Sequence, residues 1–307
     1  MTAIIIVNYI KYKDSLACVE SIINSKTTEC YHIVVVDNAS SNDSWQQLQL
    51  LKQYECVTLL LAPDNHGYCA GNNIGIKYAM ESLKTDFIWI LNPDTLVETD
   101  TLQQLHDFAI TKTDLGILGC KLVYYPDTQY IQALGGGNFG IQSHGELRPG
   151  PHLYHLMPSN IELPEVVELD LVIGASMYMP VKIFETCGLM NERFHLYADE
   201  NEFCLRTTKY GFHHYAISRA VVYHKEGWRE SGQQLMGTYY NSRNTLYLIQ
   251  ELFPEHLKKN LFVAVCRIFT YLLRGKLAFA RMQVKGIYDF LKKIDGRVEL
   301  KIQEQKK

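Results

Sequence analysis

Residues 33–40 read IVVVDNAS, an apolar and mostly β-branched run that stops abruptly at Asp37 and Asn38. Such a run, bounded by polar residues, predicts a buried strand. The same pattern recurs at 3–9, 57–61 and 87–91. Apolar residues at helical spacing fill the segments between these strands. Strands that alternate with helices in this way predict an α/β fold with a mostly parallel central sheet and helices on both faces.

The chain is less regular after this region, until its C-terminal part. Residues 126–168 are rich in Gly, Pro and His and poor in periodicity, which predicts a long loop or a β-ribbon near the ligand site. Helical spacing returns at 238–253, 255–273 and 276–293. We therefore predict two parts, a nucleotide-binding α/β domain over 1–237 and a helical region over 238–307.

Charge is divided unevenly along the 307 residues, whose net charge is −3. Residues 1–254 contain 28 acidic and 17 basic side chains, whereas residues 255–307 contain 5 acidic and 13 basic ones. Five basic residues of the tail are interleaved with Leu, Phe and Ile: Arg267, Arg274, Lys276, Arg281 and Lys285. This basic, amphipathic pattern predicts either contact with an anionic membrane surface or a helical homodimer interface.

The cysteines and the N-terminal residues bear on the compartment. The eight cysteines are scattered and never spaced as C-x-x-C, which favours a reduced chain over a disulfide framework. The chain runs directly into Ile4-Ile5-Ile6 without a basic segment or a cleavage site, and no apolar stretch reaches the roughly 18 residues of a spanning helix. We expect a cytoplasmic protein, at the cytoplasmic face of the inner membrane if the tail binds lipid.

Polar clusters follow the predicted strands, where ligands bind in sheets of this kind. The first is 37–43, in which Asp37 can accept the ring N–H of a pyrimidine base, or the cluster can simply form a turn before the next helix. The second is 65–75, where glycines before a helix allow backbone amides to approach a phosphate, or only allow close helix packing. The second cluster lacks the features of a nicotinamide-binding motif.

Two further clusters are acidic. Asn92-Pro93-Asp94-Thr95 directly follows the strand 87–91, and Asp94 is suited to a hard divalent cation, although a turn Asp is the simpler interpretation. Residues 195–206 crowd acidic side chains, which raises the pKa of at least one of them and suits a general base. The alternative is a solvated acidic helix start. His224 is a candidate metal ligand, although a lone His is more often structural.

Taken in order, these clusters resemble glycosyltransferase family 2, particularly its rhamnosyltransferase-like members. The matching segments are Val7-Asn8-Tyr9, V-V-V-D-N-A-S-S at 34–41, N-x-G-Y-x-x-G-N-N-x-G at 65–75, L-N-P-D-T at 91–95, Gly174-Ala175-Ser176-Met177, Cys204-x-Arg206, His224 and Tyr240-x-x-Arg243-Asn244. Each segment is weak alone, and together they cover residues 8 to about 245 in the family's order.

The resemblance implies a GT-A fold with a C-terminal helical extension, and it implies roles for single residues. Donor binding falls to Asn8, Asp37, Asn65, Gly71, Asn72, Asn73, Asn92 and Asp94. Magnesium or manganese is assigned to Asp94, with His224 as a second ligand, and the acceptor side to Gly174, Ala175 and Trp228. Glu200 becomes the catalytic base by position, with Asp199 as the alternative.

Two departures from the family pattern affect these assignments. The first acidic position of the family's D-x-D element is Asn92 here, so Asp94 carries more of the metal binding. The family's acidic pair runs Glu-Asp with the second residue as base, whereas this chain has Asp199-Glu200.

The function that follows is an inverting, metal-dependent transfer of a sugar from dTDP-rhamnose or a UDP-sugar to a glycan hydroxyl. The expected acceptor is a lipid-linked bacterial polysaccharide precursor, and nucleic acid is not an expected partner. One alternative is a non-catalytic subunit that binds nucleotide sugars within a glycan-assembly complex. Another is a nucleotidyltransferase, but that chemistry needs a basic Gly-rich loop after the first strand, and residues 8–14 do not provide one.

Overall fold

The structure is a computed structural model that describes residues 1–142, 145–225 and 231–300, without the side chains of 231–233. Its strands are β1 (Thr2–Asn8), β2 (Tyr31–Asp37), β3 (Val57–Leu61), β4 (Phe87–Leu91), β5 (Thr95–Val97), β6 (Leu115–Tyr124), β7 (Ile131–Ala133), β8 (Phe139–Ile141), β9 (Leu147–Pro149), β10 (Val166–Leu169), β11 (Ser176–Pro180) and β12 (His213–His224). Its α-helices are α1 (Tyr12–Ile23), α2 (Ser44–Leu48), α3 (Tyr68–Tyr78), α4 (Thr101–Ala109), α5 (Lys182–Cys187), α6 (Asp199–Lys209), α7 (Ser231–Leu252), α8 (Leu257–Leu273) and α9 (Leu277–Leu291).

The strands predicted from the apolar runs form one parallel block. β1 pairs in parallel with β2 and β4, and β2 pairs in parallel with β3. The β1–β2 register places Asn8 opposite Asp37, so the polar residues that end the two strands lie side by side. The alternation of β and α segments therefore predicted this half of the sheet correctly.

The second half of the sheet is mixed. β11 runs antiparallel to both β4 and β6, while β12 runs parallel to β6 and antiparallel to β10. The strand order is β10-β12-β6-β11-β4-β1-β2-β3, and the short β5 pairs with the end of β12. The α/β fold class is confirmed, and the antiparallel strands are an addition that the apolar runs do not announce.

Hydrophobic cores lie on both faces of the sheet. Successive residues of β1 alternate between them, with Ala3 and Ile5 in one core and Ile4 and Ile6 in the other. This alternation explains why residues 3–7 of β1 are all apolar, because the middle of a strand that is buried on both faces has no solvent-facing positions. All eight cysteines are free thiols.

The Gly- and Pro-rich segment at 126–168 adopts the β-ribbon of the two predicted forms. β8 and β9 pair as an antiparallel hairpin, and β7 pairs with the edge of β6. β7 carries Gln132, which is almost completely buried. The segment thus places a polar side chain, Gln132, in the interior among apolar ones.

The C-terminal region is helical, as predicted. α7 begins at Ser231, before the predicted start at 238, and α8 and α9 match the predicted helices to within a few residues. Buried side chains of these helices, including Leu246 and Phe290, belong to the same core as Ala3 and Ile5. A domain boundary at 237 remains a prediction. Across the described ranges, the helices lack the combined length and hydropathy that crossing a membrane requires.

Candidate active site

Polar side chains at the ends of β1 and β2 form a buried hydrogen-bonded cluster. Asn8 Nδ2 donates to Asp37 Oδ1 at 2.6 Å, and Ser15 Oγ donates to Asn8 Oδ1 at 2.8 Å. The Asp37 carboxylate also accepts from the Ser40 hydroxyl and from the Ser40 backbone N–H. Asp37 and Asn8 are fully buried. The geometry therefore assigns both side chains to shaping the loop that follows β2.

Asn38, which the sequence analysis did not single out, joins this loop to the glycine-rich segment. Its Nδ2 donates to Asn65 Oδ1 and to the Gly67 carbonyl, each at 3.1 Å. Gly67 has φ +103°, and a Cβ there would lie 2.4 Å from His195 Nδ1. A Cβ on Gly71 would lie 2.7 Å from Val7 Cγ1. These glycines permit close packing, which is the simpler of the two interpretations of the segment.

The two asparagines that follow Gly71 behave differently. Asn73 uses its whole amide group structurally, donating to the Met190 carbonyl and Glu192 Oε1 and accepting from the Met190 N–H. Asn72 Nδ2 donates to the Tyr68 carbonyl, but its Oδ1 is buried and has no hydrogen-bond partner among the described residues. Asn38 Oδ1 is in the same state. Unpartnered buried acceptors are rare in folded proteins, so these two oxygens are candidate acceptors for a water or a ligand.

A second centre lies where β4 and β12 end. Asp94 Oδ1 is 3.3 Å from His224 Nε2, and the β5–β12 pairing places His224 opposite Thr95. His224 Nδ1 is 2.9 Å from Gln132 Oε1, so Nδ1 carries a proton. In a neutral ring, Nε2 would then present a lone pair to the Asp94 carboxylate. The position between them is therefore suited to a second proton or to a metal cation.

The electrostatics of Asp94 favour its ionised form. Burial raises the pKa of Asp94, but the hydrogen bond and charge of His224 and the charge of Lys11 outweigh it, and the pKa lies below its ordinary value. A quarter of the Asp94 side chain is exposed. Among the described residues no group of three or more His, Cys, Asp and Glu converges. Asp94 and His224 are thus two candidate ligands, and a cation between them would need further ligands.

A third centre lies at the start of α6. Asp199 is 6% exposed, and its pKa is raised well above the ordinary value by burial and by the charge and hydrogen bonding of Glu200. Glu200 is half-buried and lies beside Gly174. A Cβ added to Gly174 would be 3.5 Å from the Glu200 Cβ. Burial and the neighbouring negative charge therefore both favour the protonated form of Asp199.

The loop Gly174–Ala175 connects the second and third centres. Tyr68 Oη donates to the Gly174 carbonyl at 2.8 Å, and the Asn92 N–H donates to the Ala175 carbonyl at 3.0 Å. The Asn92 carbonyl in turn accepts from the Thr95 hydroxyl. The glycine-rich helix, the Asp94 turn and the Glu200 carboxylate thus meet around one loop. Trp228, the third predicted acceptor-side residue, lies outside the described residues.

A family model for glycosyl transferase family 2 matches residues 3–160, just over half of the chain. The chain belongs to this family. Its fold is GT-A, as the resemblance implied. The matched segment contains the hydrogen-bonded cluster at Asp37, the glycine-rich helix and the Asp94 turn, while Glu200 and His224 lie beyond it.

Two relatives extend the likeness of this family 2 chain. The low-salt glycan biosynthesis hexosyltransferase Agl10 of Haloferax volcanii is 26% identical over 207 residues, which is 67% of this chain and 61% of that protein. The match therefore spans less than two thirds of that relative. The dTDP-rhamnosyl transferase RfbF of Shigella flexneri is 20% identical over 285 residues, covering 88% of this chain and 89% of the relative.

Solved structures agree on the fold. GalNAc-T7 with UDP, GalNAc and Mn²⁺ has a TM-score of 0.65 at 15% identity, covering 96% of this chain and 56% of that one. The mannosyltransferase PcManGT from Pyrobaculum calidifontis, in complex with GDP-Man and Mn²⁺, has a TM-score of 0.58 at 13% identity, covering 94% and 86%. At these identities the likeness concerns the fold alone.

Several side chains of this family 2 site escaped the sequence analysis. Gln132 lies in a segment without periodicity, so nothing in the sequence linked it to His224. Tyr68 was read only as part of a glycine-rich pattern, although its hydroxyl reaches Gly174. Asn38 was visible within the first polar cluster and could have been proposed, because buried Asn side chains after strands commonly join loops.

Proposed function

We propose that this chain transfers a sugar from a nucleotide-sugar donor to a hydroxyl group of a glycan, with inversion at the anomeric carbon and with a divalent metal. The observation that carries the proposal is the pair of carboxylate centres around the Gly174–Ala175 loop. Despite its burial, Asp94 has a pKa that is lowered by His224 and Lys11, whereas burial and the neighbouring Glu200 raise the pKa of Asp199 well above its ordinary value. Opposite electrostatic environments within one site are typical of acid–base and metal-assisted chemistry.

Asp94 and His224 would hold the metal, and their arrangement fits it. Gln132 fixes the tautomer of His224 that leaves Nε2 facing Asp94. Because Mg²⁺ strongly prefers oxygen ligands, an imidazole ligand favours Mn²⁺ over Mg²⁺. When bound, the cation would neutralise charge on the departing nucleotide diphosphate. The donor's phosphates would supply ligands that the two side chains do not.

Glu200 would act as the general base. In the proposed step, Glu200 accepts the proton of the acceptor hydroxyl while the hydroxyl oxygen forms a bond to the anomeric carbon. The bond from that carbon to the nucleotide diphosphate breaks, and its electron pair leaves with the diphosphate. One displacement inverts the configuration. Because burial raises its pKa, Asp199 is the weaker candidate, and its role would be to form a hydrogen bond with Glu200.

For the donor, dTDP-rhamnose and UDP-sugars remain the candidates. The name of RfbF, which aligns over most of both chains, supports dTDP-rhamnose. The buried acceptors Asn38 Oδ1 and Asn72 Oδ1 would receive donor hydroxyl or N–H groups if the glycine-rich segment adjusts on binding. Contact between Asp37 and the base remains a prediction, because this carboxylate is buried and bonded to Asn8 and Ser40.

A donor screen tests the proposed reaction. Purified protein with Mn²⁺ is titrated with UDP-, dTDP- and GDP-sugars by calorimetry, and release of the nucleotide diphosphate is then followed with and without chelator. Metal-dependent release from a bound donor supports transfer. Tight binding with no release under any metal condition would instead support the non-catalytic subunit.

The partner of the helical tail is proposed to be an anionic lipid surface. At the turn between α8 and α9, Leu273 is 90% exposed and Leu277 is 59% exposed. Arg274 and Lys276 lie exposed between them. Of the other predicted basic residues, Arg267 binds Glu146 and Lys285 binds Asp289, so they face the protein, whereas Arg281 is exposed. Exposed leucines flanked by exposed basic side chains fit a lipid headgroup region.

Vesicle co-sedimentation tests this contact. We expect the protein to sediment with vesicles containing phosphatidylglycerol at low salt and not with neutral vesicles, because each basic residue near an anionic surface contributes about 1 kcal/mol. Leu273→Glu should reduce sedimentation strongly, while Leu61→Glu, at an exposed leucine on β3, should not. The protein could instead fail to bind vesicles and form a concentration-dependent dimer that Leu273→Glu disrupts. That result would assign the turn between α8 and α9 to a homodimer interface.

A further inference from the structure

The segment directly before the two carboxylates is held in an unusual backbone conformation. Tyr197 has φ +65° and Ala198 has φ +64°, the left-handed region that L-residues with a Cβ avoid. Ala198 is the N-cap of α6, and no side chain caps this helix. Two successive residues in this region persist only when surrounding contacts hold them. Those contacts determine where Asp199 and Glu200 point.

The contacts come from opposite sides of the segment. Tyr68, the first residue of α3, donates its backbone N–H to the His195 carbonyl at 3.1 Å. Asn244 on α7 donates its side-chain Nδ2 to the carbonyls of Leu196 and Tyr197, at 2.8 and 3.0 Å. Three successive carbonyls are therefore fixed, two of them by a single amide group.

One face of α7 packs against residues 195–198. Gly237, Tyr240 and Asn244 are spaced as i, i+3 and i+7, which places them on one side of the helix. The Tyr240 ring lies 5.6 Å from the His195 ring, and a Cβ on Gly237 would lie 3.2 Å from the Tyr197 hydroxyl. The contact thus extends along two turns of α7 and is not limited to one hydrogen bond.

A buried charged network sets the direction of the Asn244 amide. Arg243 is fully buried and donates from Nε to Asn244 Oδ1 at 3.0 Å, so the Nδ2 of that amide must face the carbonyls. Arg243 also donates to the Tyr239 hydroxyl, which in turn donates to Asp289 on α9 at 2.6 Å. The second arm of the guanidinium donates to the Gly296 carbonyl at 2.9 Å. Residues of α9 and beyond therefore support the amide.

We propose that Asn244, oriented by Arg243, is a positioning residue that fixes the Asp199–Glu200 segment for transfer. The inference rests on the proposed role of Glu200 and adds a catalytic purpose to the helical region, whose charge pattern predicted membrane or dimer contact. Loss of the amide would release two carbonyls and allow the left-handed residues to relax. Glu200 would then turn away from the acceptor hydroxyl, while the donor site at Asp94 and Asn65 would keep its own contacts.

Asn260→Ala is a matched control for Asn244→Ala. Asn260 is equally buried, and its amide also bonds to backbone, donating to the Leu147 carbonyl at 2.8 Å and accepting from the Leu147 N–H at 3.1 Å. It lies on α8, against the β8–β9 hairpin. Both variants remove a buried amide of the same size, but only Asn244→Ala removes one from the carboxylate segment. Asn244→Ser retains a donor if the alanine variant fails to fold.

Hydrogen exchange and turnover of the full chain test the proposal together. We expect faster amide exchange over 195–202 in Asn244→Ala than in Asn260→Ala. With dTDP-rhamnose and Mn²⁺, kcat for dTDP release should fall on the order of 10²-fold in Asn244→Ala, with the KM for the donor within about twofold, since small misplacements of a reacting group have effects of this size. Asn260→Ala should keep kcat.

Equal exchange over 195–202 in the two variants would overturn the proposal, as would an equal loss of kcat. The exchange comparison requires no substrate, so it decides the positioning role even if another donor is used. If Glu200→Gln keeps full activity while exchange still separates the two asparagine variants, the assignment of the base fails and the structural role of Asn244 stands.

Discussion

Asp94 and Asp199 are both largely buried carboxylates of one site, yet their surroundings shift their pKa values in opposite directions. For Asp94, burial raises the pKa, but His224 and Lys11 more than reverse this and leave it lowered. For Asp199, burial raises the pKa and the neighbouring Glu200 raises it further. One carboxylate has a cationic partner and the other has an anionic one.

The difference shows how two residues of the same type come to suit different steps. A carboxylate that stays ionised beside an imidazole is prepared for a cation. A carboxylate that keeps its proton cannot act as a base, but it can hydrogen-bond a neighbour that does. The comparison therefore supports the proposed roles of Glu200 as base and Asp94 as metal ligand, and substitutions at either carboxylate test it.

The largest effect is expected at Glu200. Glu200→Gln keeps the size of the side chain and removes the basic oxygen, so kcat should fall by about 10²–10⁴-fold, the usual contribution of a general base. Binding of the nucleotide diphosphate, measured by calorimetry with Mn²⁺, should not change. If Asp199→Asn abolishes turnover and Glu200→Gln does not, the roles of the two carboxylates are reversed.

A smaller effect is expected behind the metal site. Gln132→Leu removes the acceptor that fixes the His224 tautomer, and loss of such a partner typically lowers metal affinity about 10–100-fold. The Mn²⁺ concentration that gives half-maximal turnover should rise accordingly, with activity recovering at high Mn²⁺. Gln142→Leu is the control, because in the described part of the chain the Gln142 side chain bonds to the hairpin carbonyls of Gly140 and Arg148 and not to His224. An unchanged Mn²⁺ requirement in Gln132→Leu would remove His224 from the metal site.

The smallest effect concerns stability and the proton on Asp199. Because the pKa of Asp199 is raised in the folded protein above its ordinary 3.8, the folded state holds a proton that the unfolded chain releases. Folding stability therefore falls as pH rises through this window. Asp199→Asn is neutral in both states, so its free energy of unfolding should fall less than that of the wild type between about pH 5 and about pH 8. Urea titrations at each pH measure this, and parallel curves would contradict a protonated Asp199.

The positions of Asp37 and Asp94 were predictable from sequence because each ends an apolar strand. Parallel strands bring their carboxyl ends to one edge of a sheet, so short-range patterns were enough to group these residues. The hydrogen-bond partners of the two side chains were less predictable from the sequence. Asp37 is bonded to Asn8 and Ser40, and this follows from a cross-strand register that apolar runs do not specify.

Gln132 and Asn244 were beyond prediction for a related reason. Gln132 lies 92 residues from His224 in sequence, and Asn244 lies 47 residues from Tyr197. Neither pair has a periodic or charge pattern that connects its members. Asn244 was noticed only within the Tyr240-x-x-Arg243-Asn244 resemblance, which names a motif without its contact.

The sequence alone determined the α/β class, the strands of the parallel block, the helical C-terminus and the group of candidate residues at strand ends. These depend on local periodicity and on the rule that parallel strands end together. Tertiary structure decided the antiparallel placement of β11, the partners of His224 and the hydrogen bonds from Asn244 to the segment before Asp199. It also decided the opposite pKa shifts of Asp94 and Asp199, because a pKa depends on burial and on charges brought from distant parts of the chain.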